Sequence, residues 1–227
     1  MDKVAHPNND FIETHTGESP ERNNLLSPYH TECIRAAVAM ILHQGIDGLE
    51  VLFIQRAANS RDPWSGHIAF PGGKLEVGEL ERSAACRETL EEIGIDLANE
   101  RYVGRLSDIV GANLPVRVSC CLFMVDRSRS KHILNEEVSD LFWVSLSDLQ
   151  DTRRHLQSRV DFGEKQFEVQ AIKLPIDNKP VLWGITYRLV MQFLSIVEND
   201  KVYWHNNGVF PQTIEIDEEI INAERQL

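Results

Sequence analysis

One segment constrains this chain more than any other: Gly73-Lys-Leu-Glu-Val-Gly-Glu79-Leu-Glu81-Arg-Ser-Ala-Ala-Cys-Arg87-Glu88-Thr-Leu-Glu91-Glu92-Ile-Gly94-Ile95, a glycine-rich loop running into a helix-forming stretch. At about 100° per residue, Glu88, Glu91 and Glu92 fall within roughly 100° of helix circumference, and Glu81 lies near the same flank. Cys86, Thr89, Leu90 and Ile93 take the opposite side, giving the helix an apolar face to bury. Glu79 and Glu81 read as first-turn acids favoured by the helix dipole, and Gly94 as the residue that ends the helix. Glu91 and Glu92 lie in the last turn, where carboxylates oppose the dipole and repel each other by a few tenths of a kcal/mol per pair. A hard divalent cation, Mg²⁺ or Mn²⁺, takes oxygen ligands and reverses that cost. The competing reading is a solvated acidic face with Arg87 paired to Glu91.

The same residues fit the pattern G-x5-E-x7-R-E-U-x-E-E-x-G-U, where U is bulky and apolar. Gly73, Glu79, Arg87, Glu88, Glu91, Glu92, Gly94 and Ile95 fall in register, with Thr89 departing at the first U. The stretch therefore resembles the signature box of the Nudix hydrolases. That resemblance implies an α/β fold, a mixed β-sheet sandwiched between helices with the box as a loop–helix–loop. It also implies metal-dependent hydrolysis of a nucleoside diphosphate linked to a further group, a small-molecule substrate. Glu88, Glu91 and Glu92 are then metal ligands, with Glu91 also placed to act as base through a bound water. The resemblance adds the backbone carbonyl of Gly72 to the metal shell. Arg87 holds a box glutamate, Glu79 fixes Arg87, and Gly73 and Gly94 shape the box. A further acid is expected from Asn135-Glu136-Glu137-Val138; Glu137 is preferred, because Val138 beside it reads as a buried anchor.

Upstream, Leu52-Phe-Ile-Gln-Arg56-Ala-Ala-Asn-Ser-Arg61-Asp-Pro-Trp-Ser-Gly66-His-Ile-Ala-Phe70-Pro-Gly-Gly73 is similar to the extra motif of the coenzyme A diphosphatase branch. Arg56, Ala57, Arg61, Gly66 and Phe70 to Gly73 match; Phe53-Ile54 and one additional residue before Gly66 depart. Leu182-Trp183-Gly-Ile-Thr-Tyr-Arg188 is similar to a helix start of that branch. The implied reaction splits coenzyme A or an acyl derivative into 3′,5′-ADP and 4′-phosphopantetheine, with Arg56 and Arg61 on substrate phosphates. Trp64 and Trp183 are candidates for an apolar wall beside an adenine or pantetheine group. The additional residue before Gly66 favours the alternative, another Nudix diphosphatase acting on ADP-ribose, a dinucleotide or an oxidised nucleoside triphosphate. A Nudix-fold binding or regulatory protein without catalysis is a further alternative, against which the intact glutamates argue.

Composition bounds these readings. A net charge of −12 across 227 residues argues against a general nucleic-acid binder. Four cysteines without paired metal spacing fit a reduced compartment. The N-terminus lacks the apolar core of a signal peptide, and the apolar run from Val181 to Val197 contains Arg188. The expectation is a cytoplasmic enzyme without a membrane span; no feature sets an oligomeric state.

The expected organisation is a polar extension over 1–30, a catalytic domain over 31–200 and an acidic extension over 201–227. Strands are predicted at 34–42, 50–55, 67–70, 101–110, 115–125 and 140–144, and another at 166–174 in a hairpin. Helices are predicted to open at Ser145 and at Leu182, with a short one after Phe210.

Overall fold

The computed structural model describes residues 33–60, 62–111, 115–128, 131–162 and 165–199. The two expected extensions, with the short helix after Phe210, lie outside the described residues, as does Arg61.

The central sheet is built from β1 (Ile34–Gly45), β2 (Gly48–Arg56), β3 (Ile68–Ala69), β4 (Gly72–Lys74), β5 (Arg101–Val110), β6 (Val116–Met124) and β7 (Val138–Ser145). Its order is β3-β2-β1-β6-β5, with β4 also pairing β1 and β7 also pairing β2. Among the described residues only β1 and β6 pair in parallel, so the sheet is mixed, as expected.

Period-two alternation sorts the central strands between two cores. On one face, Ala37, Ala39 and Ile41 of β1 meet Leu52 and Ile54 of β2 and Cys121 and Phe123 of β6. The helix α1 (Glu81–Ile93) covers that face through Ala84, Ala85 and Ile93. On the other face, Met40, Leu42, Val51, Phe53, Cys120 and Leu122 pack against Leu189, Val190, Phe193 and Leu194 of a second helix, α3 (Gly184–Asn199). Each fully buried Phe or Leu in these cores contributes about 1.5–3 kcal/mol.

The small side chains facing each other across β1 and α1 correct the predicted orientation of the box helix. Ala84, Ala85, Thr89, Glu92 and Ile93 are the buried residues of α1, whereas Leu90, expected inside, is 50% exposed. With alanines on both surfaces, the helix approaches the sheet closely on its Ala85–Glu92 side, and the carboxylate of Glu92 goes in with them. One further expectation shifts. Glu79 precedes the helix, whose N-cap residue is Leu80, whereas Glu81 lies in the first turn as expected and pairs with Arg35 of β1.

A second sheet, of order β10-β9-β8, joins β8 (His155–Phe162), β9 (Lys165–Ile172) and β10 (Leu182–Trp183). The expected hairpin is present as β8–β9. Leu182 and Trp183 pair with Ile172 and Ala171, so the helix starts only after them, at Gly184 with φ 69°. A short helix α2 (Leu146–Gln150) follows β7, capped by Ser145, whose hydroxyl accepts from the Asp148 N–H. Among the described residues no helix is long and apolar enough to cross a membrane.

Candidate active site

The site begins at two adjacent glycines. Gly72 has φ 149°, and a Cβ there would lie 2.3 Å from the Ala37 carbonyl oxygen and 2.5 Å from Val38 Cα. Only glycine lets β4 lie this close along β1. Gly72 donates its N–H to Glu92 Oε2 at 2.9 Å, which ties the buried carboxylate to the strand. A Cβ on Gly73 would fall 2.4 Å from the Glu88 carboxyl carbon, so the Glu88 carboxylate occupies the space a side chain would need. One helical turn of α1 thus sets two carboxylates against this glycine pair.

Glu92 is 2% exposed, and burial pushes its carboxyl up to about 7. The Gly72 N–H and Arg56 oppose that rise, while the negative charges of Glu88 and Glu137 add to it. Glu92 therefore senses the negative charges of both Glu88 and Glu137.

Arg87 binds the box together. Its Nε and Nη2 donate to the two oxygens of Glu79, each at 2.9 Å, in a fork. Nη2 also donates to the Lys74 carbonyl at 3.1 Å, and Nη1 donates to Glu88 Oε1 at 2.9 Å and Glu91 Oε2 at 3.4 Å. Glu79 accepts from the Glu76 N–H as well, and its carboxyl is held below the ordinary range chiefly by the Arg87 hydrogen bond. Arg87 thus closes the loop over residues 74–79 onto α1 and restrains Glu88. The side chain of Glu91 is 56% exposed.

The end of α1 receives a strap. Gly94 adopts the left-handed conformation, φ 71°, and its N–H donates to the Leu90 carbonyl. Ile133 and Asn135 donate backbone N–H groups to the carbonyls of Ile93 and Glu92, each at 2.9 Å, satisfying acceptors a helix end leaves unpaired. Asn135 Oδ1 accepts from the Glu137 N–H at 2.8 Å, the Glu137 carbonyl accepts from the Ala57 N–H at 2.8 Å, and Val138 is buried. This brings the exposed Glu137 within electrostatic reach of Glu92.

Arg56, expected on a substrate phosphate, approaches the same carboxylate. Its Nη1 lies 3.8 Å from Glu92 Oε1, while Nε and Nη2 hold Asp62 Oδ2 at 2.8 and 2.7 Å. Asp62 Oδ1 accepts from the Trp64 N–H, fixing the loop after Arg56. Asp62 and Asn135 were not singled out from the sequence; their partners lie six and more than forty residues away, beyond any local periodicity.

The described site sits inside a segment, residues 34–162, that matches the NUDIX domain family model, more than half of the chain. The chain belongs to the Nudix family. An uncharacterized protein of the fission yeast Schizosaccharomyces pombe is 37% identical over 107 residues, which cover 44% of this chain and 32% of that protein. Nudix hydrolase 3 of Caenorhabditis elegans is 25% identical over 175 residues, 71% of this chain and 72% of that one. The chain thus spans about a third of the length of the yeast relative. Among solved structures, a MutT/nudix family protein from Enterococcus faecalis superposes with a TM-score of 0.54 at 18% identity, over 75% of this chain and 64% of that one, a likeness of fold.

Glu88, Glu91, Glu92 and Glu137 offer hard oxygen donors of the kind Mg²⁺ and Mn²⁺ take. The like charges of Glu88 and Glu137, felt at Glu92, are the cost that such a cation reverses. Among the described residues, no three acidic, histidine or cysteine side chains converge on one point. Arg87 engages Glu88 and Glu91, while the Gly72 N–H and Arg56 engage Glu92.

Proposed function

We propose that this Nudix protein hydrolyses the diphosphate bond of a nucleoside diphosphate derivative with Mg²⁺ or Mn²⁺, and that its preferred substrate is coenzyme A or an acyl-coenzyme A. One observation carries the reading: a nearly fully buried carboxylate, Glu92, is held against Gly72 within electrostatic reach of Glu88 and Glu137. Burying one carboxylate within reach of two like charges is unfavourable unless a cation compensates it.

Glu88, Glu91, Glu92 and the Gly72 carbonyl would hold the metal, which supplies charge neutralisation on the non-bridging phosphate oxygens and lowers the pKa of bound water. The chain's own residues do the rest. Arg87, fixed by Glu79, keeps Glu88 in place, and Glu91 or Glu137 accepts the proton of the attacking water. The water oxygen joins one phosphorus, the bridging bond breaks, and the leaving phosphate keeps the bridging oxygen. Arg56, whose guanidinium lies 3.8 Å from Glu92, is the residue we assign to a phosphate oxygen of the substrate. The coenzyme A preference rests on the Leu52–Gly73 segment, and a cytoplasmic location is the companion proposal.

The test is to incubate the protein with Mg²⁺ or Mn²⁺ and a panel of coenzyme A, ADP-ribose, NADH, diadenosine polyphosphates and nucleoside triphosphates. Release of 4′-phosphopantetheine from coenzyme A at the highest kcat/KM is expected. A higher value for another member moves the substrate to that class, and no hydrolysis at all leaves the binding-protein alternative.

A further inference from the structure

Three partly exposed rings meet beside the site and belong to neither hydrophobic core. His67 comes from the turn before β3, Phe162 from the end of β8, and Trp183 from the end of β10. The His67 and Trp183 ring centroids are 4.8 Å apart at 58°, those of Phe162 and Trp183 6.1 Å at 87°, and those of His67 and Phe162 6.3 Å at 39°. Tilted rings that are each only partly buried form a corner.

The corner adjoins the carboxylate site through one residue. Arg56 donates its backbone N–H to the His67 carbonyl at 3.0 Å, and its guanidinium reaches to 3.8 Å from Glu92. Both Arg56 and Asp62 act electrostatically on the His67 ring. Burial holds the imidazole below its ordinary pKa, which leaves a neutral ring above neutral pH. In order, the surface presents carboxylates, one guanidinium, then uncharged π-faces. A nucleotide has the complementary order, with its diphosphate at one end and a flat base at the other.

We infer that His67, Phe162 and Trp183 form a subsite for the planar heteroaromatic base of the substrate, with Arg56 set between the base and the scissile diphosphate. The inference rests on the diphosphatase reading for the identity of the ligand, and its test does not require turnover. AMP and ribose 5-phosphate share the phosphate and the sugar and differ by the base. Calorimetric titration of the full chain with each is expected to show AMP binding about tenfold or more tightly, the margin that stacking on aromatic side chains supplies. Trp183→Ala and Phe162→Ala are expected to erase that margin, and Trp183→Phe to retain it. For whichever base-bearing diphosphate is hydrolysed, Trp183→Ala should raise KM about tenfold with kcat unchanged, the signature of uniform binding.

Should the alanine variants fail to fold, the wild-type protein still decides the matter. The His67 ring proton resonances should shift on adding AMP and stay fixed with ribose 5-phosphate, with His67→Gln identifying them. Equal affinity for AMP and ribose 5-phosphate, or an unchanged margin in folded Trp183→Ala, overturns the inference. So does a variant that loses affinity for 4′-phosphopantetheine and keeps it for AMP. A base-dependent margin without hydrolysis of any panel member would overturn the diphosphatase reading and leave the subsite standing.

Discussion

Replacing Glu92 by glutamine should make the metal-free protein more stable while removing its activity. The side chain is 2% exposed, and its carboxyl is pushed from an ordinary 4.5 up to about 7. At about 1.4 kcal/mol per tenfold change in proton affinity, ionised Glu92 costs the folded state about 3 kcal/mol. Glutamine has the same shape and keeps an oxygen for the Gly72 N–H, so the variant sheds the charge without opening a cavity. The sign follows from the acid's raised pKa in the fold. The penalty is absent below about pH 4.5, grows as pH rises through about 7, and is complete above it. Urea unfolding in a chelator should therefore give equal stabilities near pH 4. Glu92→Gln should lead by about 3 kcal/mol near pH 8.5, roughly 6–12 °C in Tm for a domain of this size. Saturating Mg²⁺ or Mn²⁺ should stabilise the wild type and leave the variant unmoved, reversing or closing the gap. Turnover should fall by orders of magnitude. A variant less stable than wild type at pH 8.5, or a difference independent of pH, would refute the claim that Glu92 is a buried charge that its partners only partly compensate.

Gly73→Ala should lower kcat by about tenfold or more at nearly unchanged Tm, because the atoms it displaces belong to the movable Glu88 carboxylate. Gly72→Ala, which meets backbone of β1, should instead fail to yield folded protein by circular dichroism. Arg87→Ala should raise the half-saturating metal concentration about 10–100-fold, the usual cost of losing a residue that orients metal ligands, as read from activity against metal titrations. Leu90→Ala should change stability by less than about 0.5 kcal/mol in urea melts, whereas Ile93→Ala should cost about 2–5 kcal/mol. Equal losses at the two positions would contradict the orientation of α1.

The central strands were readable because they carry their own period. Residues 36–42 of β1 and 51–54 of β2 send alternate side chains to the two cores, and Ser145 caps α2 with its own hydroxyl. The box helix was readable too, down to its left-handed end at Gly94. The face it buries was not. Counting charge and hydropathy around a helical wheel puts Leu90 inside and Glu92 outside, and the structure does the opposite. What decides is the partner surface: Ala37 and Ala39 on β1 admit the alanine side of α1, and Glu92 follows because Gly72 offers its N–H.

Family membership and the residues of the box were therefore set by local sequence, since their spacing survives any packing. Glu79 and Arg87 could be paired on paper because the pattern fixes both. The roles of distant residues could not. Asn135 meets the end of α1, Arg56 turns toward Glu92 under the hold of Asp62, and His67, Phe162 and Trp183 gather from three segments. Each of these contacts is made by hydrogen bonds and ring packing between segments that share no periodicity. A one-dimensional pattern carries the types of those residues but not the distances between them; only the folded sheet and its helices bring the distances down to contact.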